Sequence, residues 1–474
     1  MPQYLITVSG ELPLRSPRTR PRFYRRLVEN IRDMVERHGA RVLGSRIIEA
    51  KIWLVTDRDV LSGLSRVFGV HRAGLVVTYN FKNLDDLAMW VYENTKNTVK
   101  NKKFAVRVKR SGKHAFTSLD AARRIGELLK PHSSGVDLEK PEVTVEVEIR
   151  DSTAYLYTSV VSGPGGLPIG VEGRALTLFS GGFDSPVAAW FTAKRGVEVD
   201  FLHYYMGSTS STYYAFLVAK KLSSDWLYGY RPQFILVDFT DVISEVVKKV
   251  SWSYRQVVLR ALMYIIAGKI AEKLNYHVLV TGESIGQASS QTLINLSVIE
   301  RATGIKTPIL RPLLGFDKEE IIEYSRKIGL YPYSSRVVEA CAIAPTRVTT
   351  AADQGEVGEY ISSIDENTLE KTVNSMKIFD VFSSNPEDIV VTSSIELDFI
   401  PENAVVVDVR RDRSNPLPNS ISLSEVNFEE LRDKVIVFVC ETGSLSLLLA
   451  KELRDQGYKA FSLKGGVKTY CQVK

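Results

Sequence analysis

The strongest chemical signal in the sequence is the stretch SGGFDS at 180–185, where two glycines lie between hydroxyl and carboxylate side chains. Apolar and β-branched residues at 175–179 predict a buried strand before it, and Pro186 marks the start of a helix. Glycines let the backbone approach a ligand closely, and the amides converge on the positive end of the helix dipole. A Ser or Asp before the helix is expected to cap it. The stretch predicts a phosphate-binding loop without the Lys-Ser/Thr pair of a Walker-type loop.

Two cysteines are candidates for sulfur chemistry. Cys440 follows an apolar predicted strand, and Gly443 lies in the next loop, whose amides run into a predicted helix. Those amides and the helix dipole favour a thiolate or a bound persulfide anion. Cys341 lies between a predicted helix and a Pro-containing turn, and its surroundings alone favour a small buried apolar residue. Cys471 matches no motif. Three cysteines in so long a chain argue against a disulfide scaffold, and the absence of CxxC spacing together with scattered histidines argues against a zinc site.

The elements that must position these residues alternate between strand and helix over 171–330. Such alternation predicts a parallel, doubly wound sheet, with ligands at the carboxyl ends of the strands. After the predicted strand HVLVTG comes a polar loop with many donors and acceptors: Gly282, Glu283, Gln287, Ser289, Ser290 and Gln291. Farther on, Asp317 and Glu320 predict a capping box, and Lys318 between them opposes the helix dipole. The unfavourable position of Lys318 favours a functional role.

The charge is concentrated in the front of the chain. Residues 1–170 hold 28 Lys and Arg against 18 Asp and Glu, whereas the remaining residues hold 33 against 37. This imbalance predicts a polyanion partner for the front part. The predicted RNA contacts are Arg15, Arg18, Arg20 and Arg22 in an Arg-rich turn before a helix at 23–38, and Lys102, Lys103, Arg107, Lys109, Arg110 and Lys113 around the predicted strand FAVRVKR. A solvated charge run at a helix start is the alternative for the arginine group.

Length and hydropathy limit the class of protein. A chain of 474 residues predicts three or four domains. It has no run of about 18 apolar residues and no signal-peptide pattern at its start, so we expect a cytoplasmic protein without a membrane partner. A Gly/Pro-rich stretch, SGPGGLPIGVEG, predicts a domain boundary near residue 165.

Several of these stretches resemble one family along the whole chain. SGGFDS resembles the loop of PP-loop ATP pyrophosphatases, and KFAVRVKRSGKHAFTSLDAARRIGELL looks like a THUMP domain. SGELPLRSPRTRPRFYRRLVENI, VTGESIGQASSQTLINL and LRPLLGFDKEEII resemble tRNA 4-thiouridine synthetases. VVVDVR, VFVCETGSLS and GYKAFSLKGGV resemble a rhodanese domain, although its loop lacks the Arg that many rhodaneses carry there.

The resemblance implies an α/β multidomain fold. N-terminal α+β RNA-binding domains, ferredoxin-like at 1–75 and THUMP at 76–165, would precede the central sheet. A doubly wound parallel sheet of the PP-loop ATP pyrophosphatase type would occupy 166–385, together with a helical connector. An α/β rhodanese-like domain would occupy 386–474. The family usually dimerises, which implies a homodimer.

The resemblance also implies the site residues. Asp184 and Lys318 would act in adenylation, with Mg²⁺ near Asp184. The residues implied around ATP are Leu178, Phe179, Ser180, Gly181, Gly182, Ser185, His203, Tyr204, Arg260, Gly282 and Gln291. Taken without the family, His203 and Tyr204 could equally be a buried strand end, and Arg260 a surface residue.

The implied reaction is ATP-dependent formation of 4-thiouridine at tRNA position eight. AMP is placed on the C4 oxygen of the uridine, PPi is released, and sulfur from a Cys440 persulfide replaces the activated oxygen. A cysteine desulfurase would load that persulfide, and Cys341 would resolve it as a Cys341–Cys440 disulfide. Members with a rhodanese domain also suggest a second role, supplying sulfur to the thiazole of thiamine.

Two other functions are compatible with parts of the sequence. A PP-loop ligase that amidates or adenylates a small acid would use the same loop, but it explains neither the basic front part nor the Cys440 loop. A sulfur carrier or RNA-binding protein with a degenerate ATP site is the other alternative. The intact Ser180, Asp184 and Lys318 argue against it.

Overall fold

The computed structural model describes residues 1–337, 348–389, 395–410, 417–441 and 443–467. The chain forms two compact units, Met1–Val171 and Glu172–Lys474. Among the described residues, no helix has both the length and the apolar character needed to cross a bilayer.

The first unit is built on one mixed sheet with the strand order β2-β3-β1-β4-β8-β7-β5-β6. Its strands are β1 (Gln3–Val8), β2 (Val42–Ile48), β3 (Lys51–Thr56), β4 (Val70–Asn80), β5 (Lys103–Ser111), β6 (Gly135–Val136), β7 (Val143–Arg150) and β8 (Thr153–Ser162). Its helices are α1 (Arg20–Arg37), α2 (Leu61–Leu64), α3 (Leu84–Thr95) and α4 (Ser118–Leu129). The predicted boundary near residue 75 falls within β4, so strands on both sides share the sheet. The four-domain division stays a prediction.

The Arg-rich stretch of this unit is partly helical. The helix α1 begins at Arg20, three residues before the predicted start at Phe23, because a proline in its first turn favours helix initiation. Arg20 and Arg22 therefore lie on α1 and not in a turn, whereas Arg15 and Arg18 precede it. The apolar face of α1 is buried, with Leu27 and Met34 fully inaccessible.

The second unit begins with the predicted α/β alternation. Its strands are β9 (Arg174–Leu178), β10 (Glu198–Tyr205), β11 (Gln233–Asp238), β12 (Val278–Val280), β13 (Ile309–Leu310) and β14 (Lys377–Asp380). Its helices are α5 (Asp184–Lys194), α6 (Thr209–Trp226), α7 (Thr240–Lys249), α8 (Arg255–Lys273), α9 (Leu293–Thr303), α10 (Lys318–Lys327), α11 (Tyr331–Ser334), α12 (Gln354–Ser363), α13 (Glu366–Asn374) and α14 (Pro386–Ile389). The sheet order is β13-β12-β9-β10-β11-β14.

The central sheet is parallel except at one edge. Strands β9 to β13 pair in parallel, as predicted, and their near-continuous apolar character reflects burial on both faces. The edge strand β14 is antiparallel to β11 and falls inside the stretch predicted to be a helical connector. Four residues are too few for a clear strand pattern, so pairing with β11 determines this element. The order of the strands in the sheet places the polar ends of β12, β9 and β10 side by side.

The end of the chain forms a separate sheet within the second unit. Its strands are β15 (Glu396–Leu397), β16 (Val405–Asp408), β17 (Ser420–Ser422), β18 (Val435–Val439) and β19 (Lys459–Leu463), and the helix α15 (Ser444–Asp455) packs on β18 and β19. All recorded pairings in the order β15-β19-β18-β16-β17 are parallel. This is the predicted α/β architecture, and its rhodanese character stays a prediction.

Candidate functional site

The loop between β9 and α5 is held in shape by its own hydroxyl groups. The Ser185 hydroxyl accepts the N–H groups of Ser180 and Gly181 at 3.1 and 3.3 Å, and the Ser180 hydroxyl accepts that of Gly182 at 3.3 Å. The predicted helix cap was wrong, because α5 begins after Phe183, which has no capping side chain. Ser185 lies inside the first turn of α5, so its hydroxyl bonds back to the loop instead.

Two glycines allow the close packing that this loop requires. Gly181 has φ +82°, and a Cβ atom there would lie 2.6 Å from the Ala215 Cα. At Gly282, which follows β12, a Cβ would lie 2.7 Å from the backbone nitrogen of Ser185. Such distances are below any normal contact, so a side chain at either position would displace backbone. Gly282 therefore brings the loop after β12 directly against the start of α5.

Asp184 forms the polar centre of the site. Its Oδ1 accepts a hydrogen bond from the Lys318 ammonium at 2.7 Å, and its Oδ2 accepts one from the Gln287 side-chain amide at 2.8 Å. Lys318 is the first residue of α10, and the predicted capping box of Asp317 and Glu320 is confirmed at this end. The cap fixes the start of the helix and thereby directs Lys318 towards Asp184. The side chain of Gln287 joins a third element to the same carboxylate.

His203 and Tyr204 lie at the end of β10, and both are buried. The His203 Nδ1 donates to the Phe179 carbonyl at 2.8 Å, and Nε2 lies 3.1 Å from the Thr212 hydroxyl. Burial lowers the pKa of His203 to about 4, although the Phe179 carbonyl opposes this, so the imidazole is neutral at neutral pH. The Tyr204 hydroxyl donates to the Met263 carbonyl at 2.6 Å. Both side chains therefore build the wall of the site.

Arg260 belongs to a buried ion cluster and is not a surface residue. Its guanidinium donates to Glu283 Oε1 at 2.5 Å, while Arg311 donates to Glu283 Oε2 at 2.8 Å. Burial alone would raise the pKa of Glu283, but the charges of the two guanidinium groups outweigh it and hold that pKa below its usual range. The sequence did not indicate Arg311 as a site residue. The available signal is that Arg311 is the charged residue within the predicted strand PILRPL.

Replacing Glu283 by glutamine is expected to destabilise the central sheet by about 3–5 kcal/mol, because two buried guanidinium groups then lose their counter-charge. Native-state hydrogen exchange of the α8 amides measures this loss in the full chain. The matched control is Glu300→Gln. Glu300 bonds the same Arg311 at 2.8 Å, but its side chain is 50% exposed, so we expect a loss under about 1 kcal/mol. Equal losses in the two variants would contradict the prediction.

These groups surround a cavity of about 880 Å³. Ten of the eleven predicted nucleotide contacts line it: Leu178, Phe179, Ser180, Gly182, Ser185, His203, Tyr204, Arg260, Gly282 and Gln291. The remaining one, Gly181, is buried in the loop itself. Asp184 and Lys318 are also in the lining, and Met206, Leu259 and Met263 provide an apolar wall that the sequence did not indicate. A cavity of this size, with one polar end and one apolar wall, can hold a nucleotide.

Cys440 lies in a second site, at the end of β18. Its thiol is buried and lies 3.1 Å from the Gly443 backbone N–H, which donates to the sulfur, and 3.3 Å from the Ser446 hydroxyl. Gly443 has φ +90° and directly precedes α15, so the amides at this helix start turn towards the sulfur. The Ser446 N–H also donates to the sulfur, at 3.5 Å. Amides and a hydroxyl thus surround the sulfur, as expected for a loop without arginine.

Polar contacts join this last sheet to the central one. Glu396 accepts hydrogen bonds from the hydroxyls of Tyr205 and Thr209 at 3.3 and 3.2 Å. Lys451 on α15 pairs with Asp241 on α7 at 2.5 Å.

Cys341 and Cys471 lie outside the described residues. The nearest described residues are Val337 before Cys341 and Val348 after it. Val337 lines the nucleotide cavity, and Asn295, which is fully buried, donates to the Thr349 and Ser289 carbonyls at 2.8 and 3.1 Å. Cys341 is thus four residues from the cavity wall along the chain.

The predicted RNA contacts of the first unit occupy two separate places on its surface. Arg22 donates to the Val171 carbonyl at 3.1 Å and Arg20 to the Arg15 carbonyl at 3.1 Å, so these two have backbone partners. Lys103, Arg107, Lys109 and Arg110 lie on β5, preceded by Lys102, and Lys113 follows in the next loop. Arg107 donates to the Leu138 carbonyl at 2.5 Å. Their role in RNA binding stays a prediction.

No group of three or more His, Cys, Asp or Glu side chains that could hold a metal ion occurs in the described ranges.

Comparisons with known proteins agree along the chain. The family model described as thiamine biosynthesis protein (ThiI) matches residues 170–365, and the THUMP domain model matches residues 80–159. A crystal structure of a 4-thiouridine synthetase–RNA complex with bound ATP is 26% identical, with a TM-score of 0.69, covering 80% of this chain and 99% of that one. This supports the predicted multidomain α/β fold.

Curated relatives extend the match to the C-terminal sheet. A tRNA sulfurtransferase of Desulfurococcus amylolyticus is 55% identical and covers 99% of this chain and 98% of its own length. One of Pyrobaculum aerophilum is 38% identical over 98% of this chain and 96% of its own length. Identity at this level over nearly the full length places the chain in the tRNA sulfurtransferase family.

Proposed function

We propose that the protein places AMP from ATP on the C4 oxygen of a uridine in tRNA and replaces that oxygen with sulfur, forming 4-thiouridine. Membership of the tRNA sulfurtransferase family supports ATP-dependent sulfur transfer to tRNA. The observation that carries the finer proposal is the meeting of Lys318, Asp184 and the 180–185 loop at one end of a nucleotide-sized cavity. An amide oxygen is a poor leaving group, so exchange of that oxygen requires prior activation.

The cavity suits ATP in one orientation. Its phosphates would lie against the 180–185 loop, where backbone amides and the start of α5 favour anions. The adenine would lie against the apolar wall of Leu178, Leu259 and Met263. The neutral His203 supports this wall, because a charged imidazole there would be buried without a counter-ion.

Lys318 would stabilise the negative charge that develops as PPi separates from AMP. Its ammonium is already held 2.7 Å from Asp184, so little reorganisation is needed during the reaction. Asp184 also fits Mg²⁺, because one or two carboxylates together with substrate phosphates are a common ligand set for this ion. The ion, when bound, neutralises phosphate charge. The side-chain amide of Gln287 keeps the Asp184 carboxylate directed into the cavity.

Sulfur would come from Cys440, loaded as a persulfide by a cysteine desulfurase or another donor. The terminal sulfur attacks C4 of the adenylated uridine, and AMP leaves with the electrons of the broken C–O bond. The Cys341 thiolate then attacks the Cys440 sulfur and breaks the S–S bond to the nucleotide. The products are 4-thiouridine and a Cys341–Cys440 disulfide, which an external thiol reductant reduces.

These reaction steps require Cys440 to become accessible, since its side chain is buried next to Gly443 and Ser446. The partly exposed Lys451–Asp241 ion pair exchanges readily with water, whereas the hydrogen bonds of Glu396 to the buried Tyr205 and Thr209 would have to break during such movement. We also propose the tRNA uridine at position eight as the target, the cations of the first unit as backbone contacts, and a homodimer as the assembly.

The test uses the wild-type chain with unmodified tRNA, ATP, Mg²⁺ and a persulfide source. We expect PPi release that depends on tRNA, and the absorbance of a thiocarbonyl in the recovered tRNA. A tRNA with cytidine at position eight should release no PPi. Release of PPi with a small acid and no tRNA would instead indicate an amidating or adenylating ligase. Thiolation that needs no ATP would indicate a sulfur carrier.

A further inference from the structure

A row of cations, each placed over an aromatic ring, leads away from the nucleotide cavity. We call it the cation–aromatic row. It consists of Lys194 over Trp190, Lys327 over Tyr324 and Arg326 over Tyr331, with distances of 5.3, 5.6 and 4.6 Å to the ring centroids. The row lies on α5, α10 and the start of α11, and α5 and α10 pack against each other.

The row is continuous with the cavity. The Tyr331 ring stacks on Phe183 with centroids 5.4 Å apart and an interplanar angle of 27°. Phe183 lines the cavity, and the Lys318 ammonium lies 5.7 Å from its ring. From Tyr331 the row continues to Tyr324 and Lys327 in the second half of α10, and the Tyr324 and Trp190 ring centroids lie 6.5 Å apart.

The three cations of the row are not neutralised by carboxylates. Within the described ranges, Lys194, Arg326 and Lys327 form no ion pair, although Glu323 lies four residues before Lys327, at a normal pairing distance on a helix. The pKa of Lys194 is lowered by burial first and then by the like charges of Lys327 and Arg195. Clustered cations without counter-charges repel one another, and a bound polyanion removes that repulsion.

We propose that the cation–aromatic row binds the ribose-phosphate backbone of the tRNA next to the target uridine. This inference rests on the proposed function and adds a contact surface on the catalytic unit itself. A target base must enter the cavity beside Phe183, so the adjoining backbone has to pass over the neighbouring surface. Cations there contact phosphates.

The test compares salt dependence of tRNA binding. The variant Lys194→Gln/Arg326→Gln/Lys327→Gln removes the charges but keeps polar stems. Its matched control is Lys306→Gln/Lys371→Gln/Lys377→Gln, which removes the same charge at exposed positions of the same unit. We expect the row variant to weaken tRNA binding at least tenfold near 0.1 M salt and to reduce the slope of log K against log salt by about two. The control variant should lower neither the affinity for tRNA nor the slope by more than a small fraction.

Further readouts separate the possible failures. The binding of ATP without tRNA should be unchanged in the row variant, because no residue of the row lines the cavity. The single variant Arg326→Gln, at an exposed position, should give a smaller loss of tRNA affinity and a smaller decrease of the slope. It replaces the triple variant in the test if the triple variant does not fold. An unchanged slope with active wild type would overturn this inference alone. A wild type that neither binds nor thiolates tRNA would overturn the proposed function together with it.

Discussion

Replacing Lys318 by methionine is expected to slow tRNA-dependent PPi release by about 10²–10³-fold, the range seen when one preorganised donor to a developing charge is removed. Methionine keeps the unbranched stem of the side chain but lacks the ammonium that lies 2.7 Å from Asp184. We expect ATP binding to change less than tenfold, because the loop amides and the apolar wall remain. Single-turnover PPi release and equilibrium ATP binding measure the two quantities separately.

The control for Lys318 is Lys306→Met, which makes the same change at an exposed position before β13 and should leave PPi release unchanged. Lys318→Arg should recover part of the rate, since it restores the charge but replaces a compact ammonium by a planar fork. A Lys318→Met rate within about threefold of wild type would show that Lys318 only holds the Asp184 carboxylate in place. An equal loss of ATP affinity and of the PPi-release rate would show that Lys318 binds ATP in the ground state.

Substitution of Cys440 by serine is expected to abolish thiolation while tRNA-dependent PPi release continues within about threefold of wild type. An alcohol oxygen carries no persulfide, whereas the nucleotide cavity shares none of its described lining residues with the Cys440 loop. The readouts are thiocarbonyl absorbance in tRNA, PPi release, and the mass of the protein after incubation with the sulfur donor. The wild type should gain the mass of one sulfur atom, and Cys440→Ser should not.

Two further variants define the role of the Cys440 loop. Ser446→Ala removes the hydroxyl 3.3 Å from the sulfur but leaves the Gly443 and Ser446 amides, so we expect slower persulfide formation without complete loss. Cys471→Ser is the thiol control and should thiolate tRNA normally. Full thiolation by Cys440→Ser would contradict the sulfur route. Loss of PPi release in that variant would instead indicate a defect in folding.

Local signals in the sequence predicted much of the fold correctly. The alternation of apolar strands and helices predicted the parallel central sheet, and Asp317 with Glu320 predicted the start of α10. The predictions were wrong where a tertiary contact determines whether a strand forms or which group a side chain bonds. The short β14 forms because it pairs with β11, and the Ser185 hydroxyl bonds to the loop instead of capping α5. The Arg-rich stretch predicts a turn before Phe23, but Arg20 and Arg22 lie on α1, which begins earlier because Pro21 is in its first turn.

The sequence by itself determined the position of the 180–185 loop, the Cys440 loop and the order of the elements. Each of these depends on neighbouring residues, whose spacing sets backbone conformation directly. Only the tertiary structure decided that Lys318 and Gln287 bond to Asp184, and that Glu283 lies between Arg260 and Arg311. These partners are far apart in the chain. They meet because β12 lies between β9 and β13 in the sheet, and no local pattern specifies which strands become neighbours.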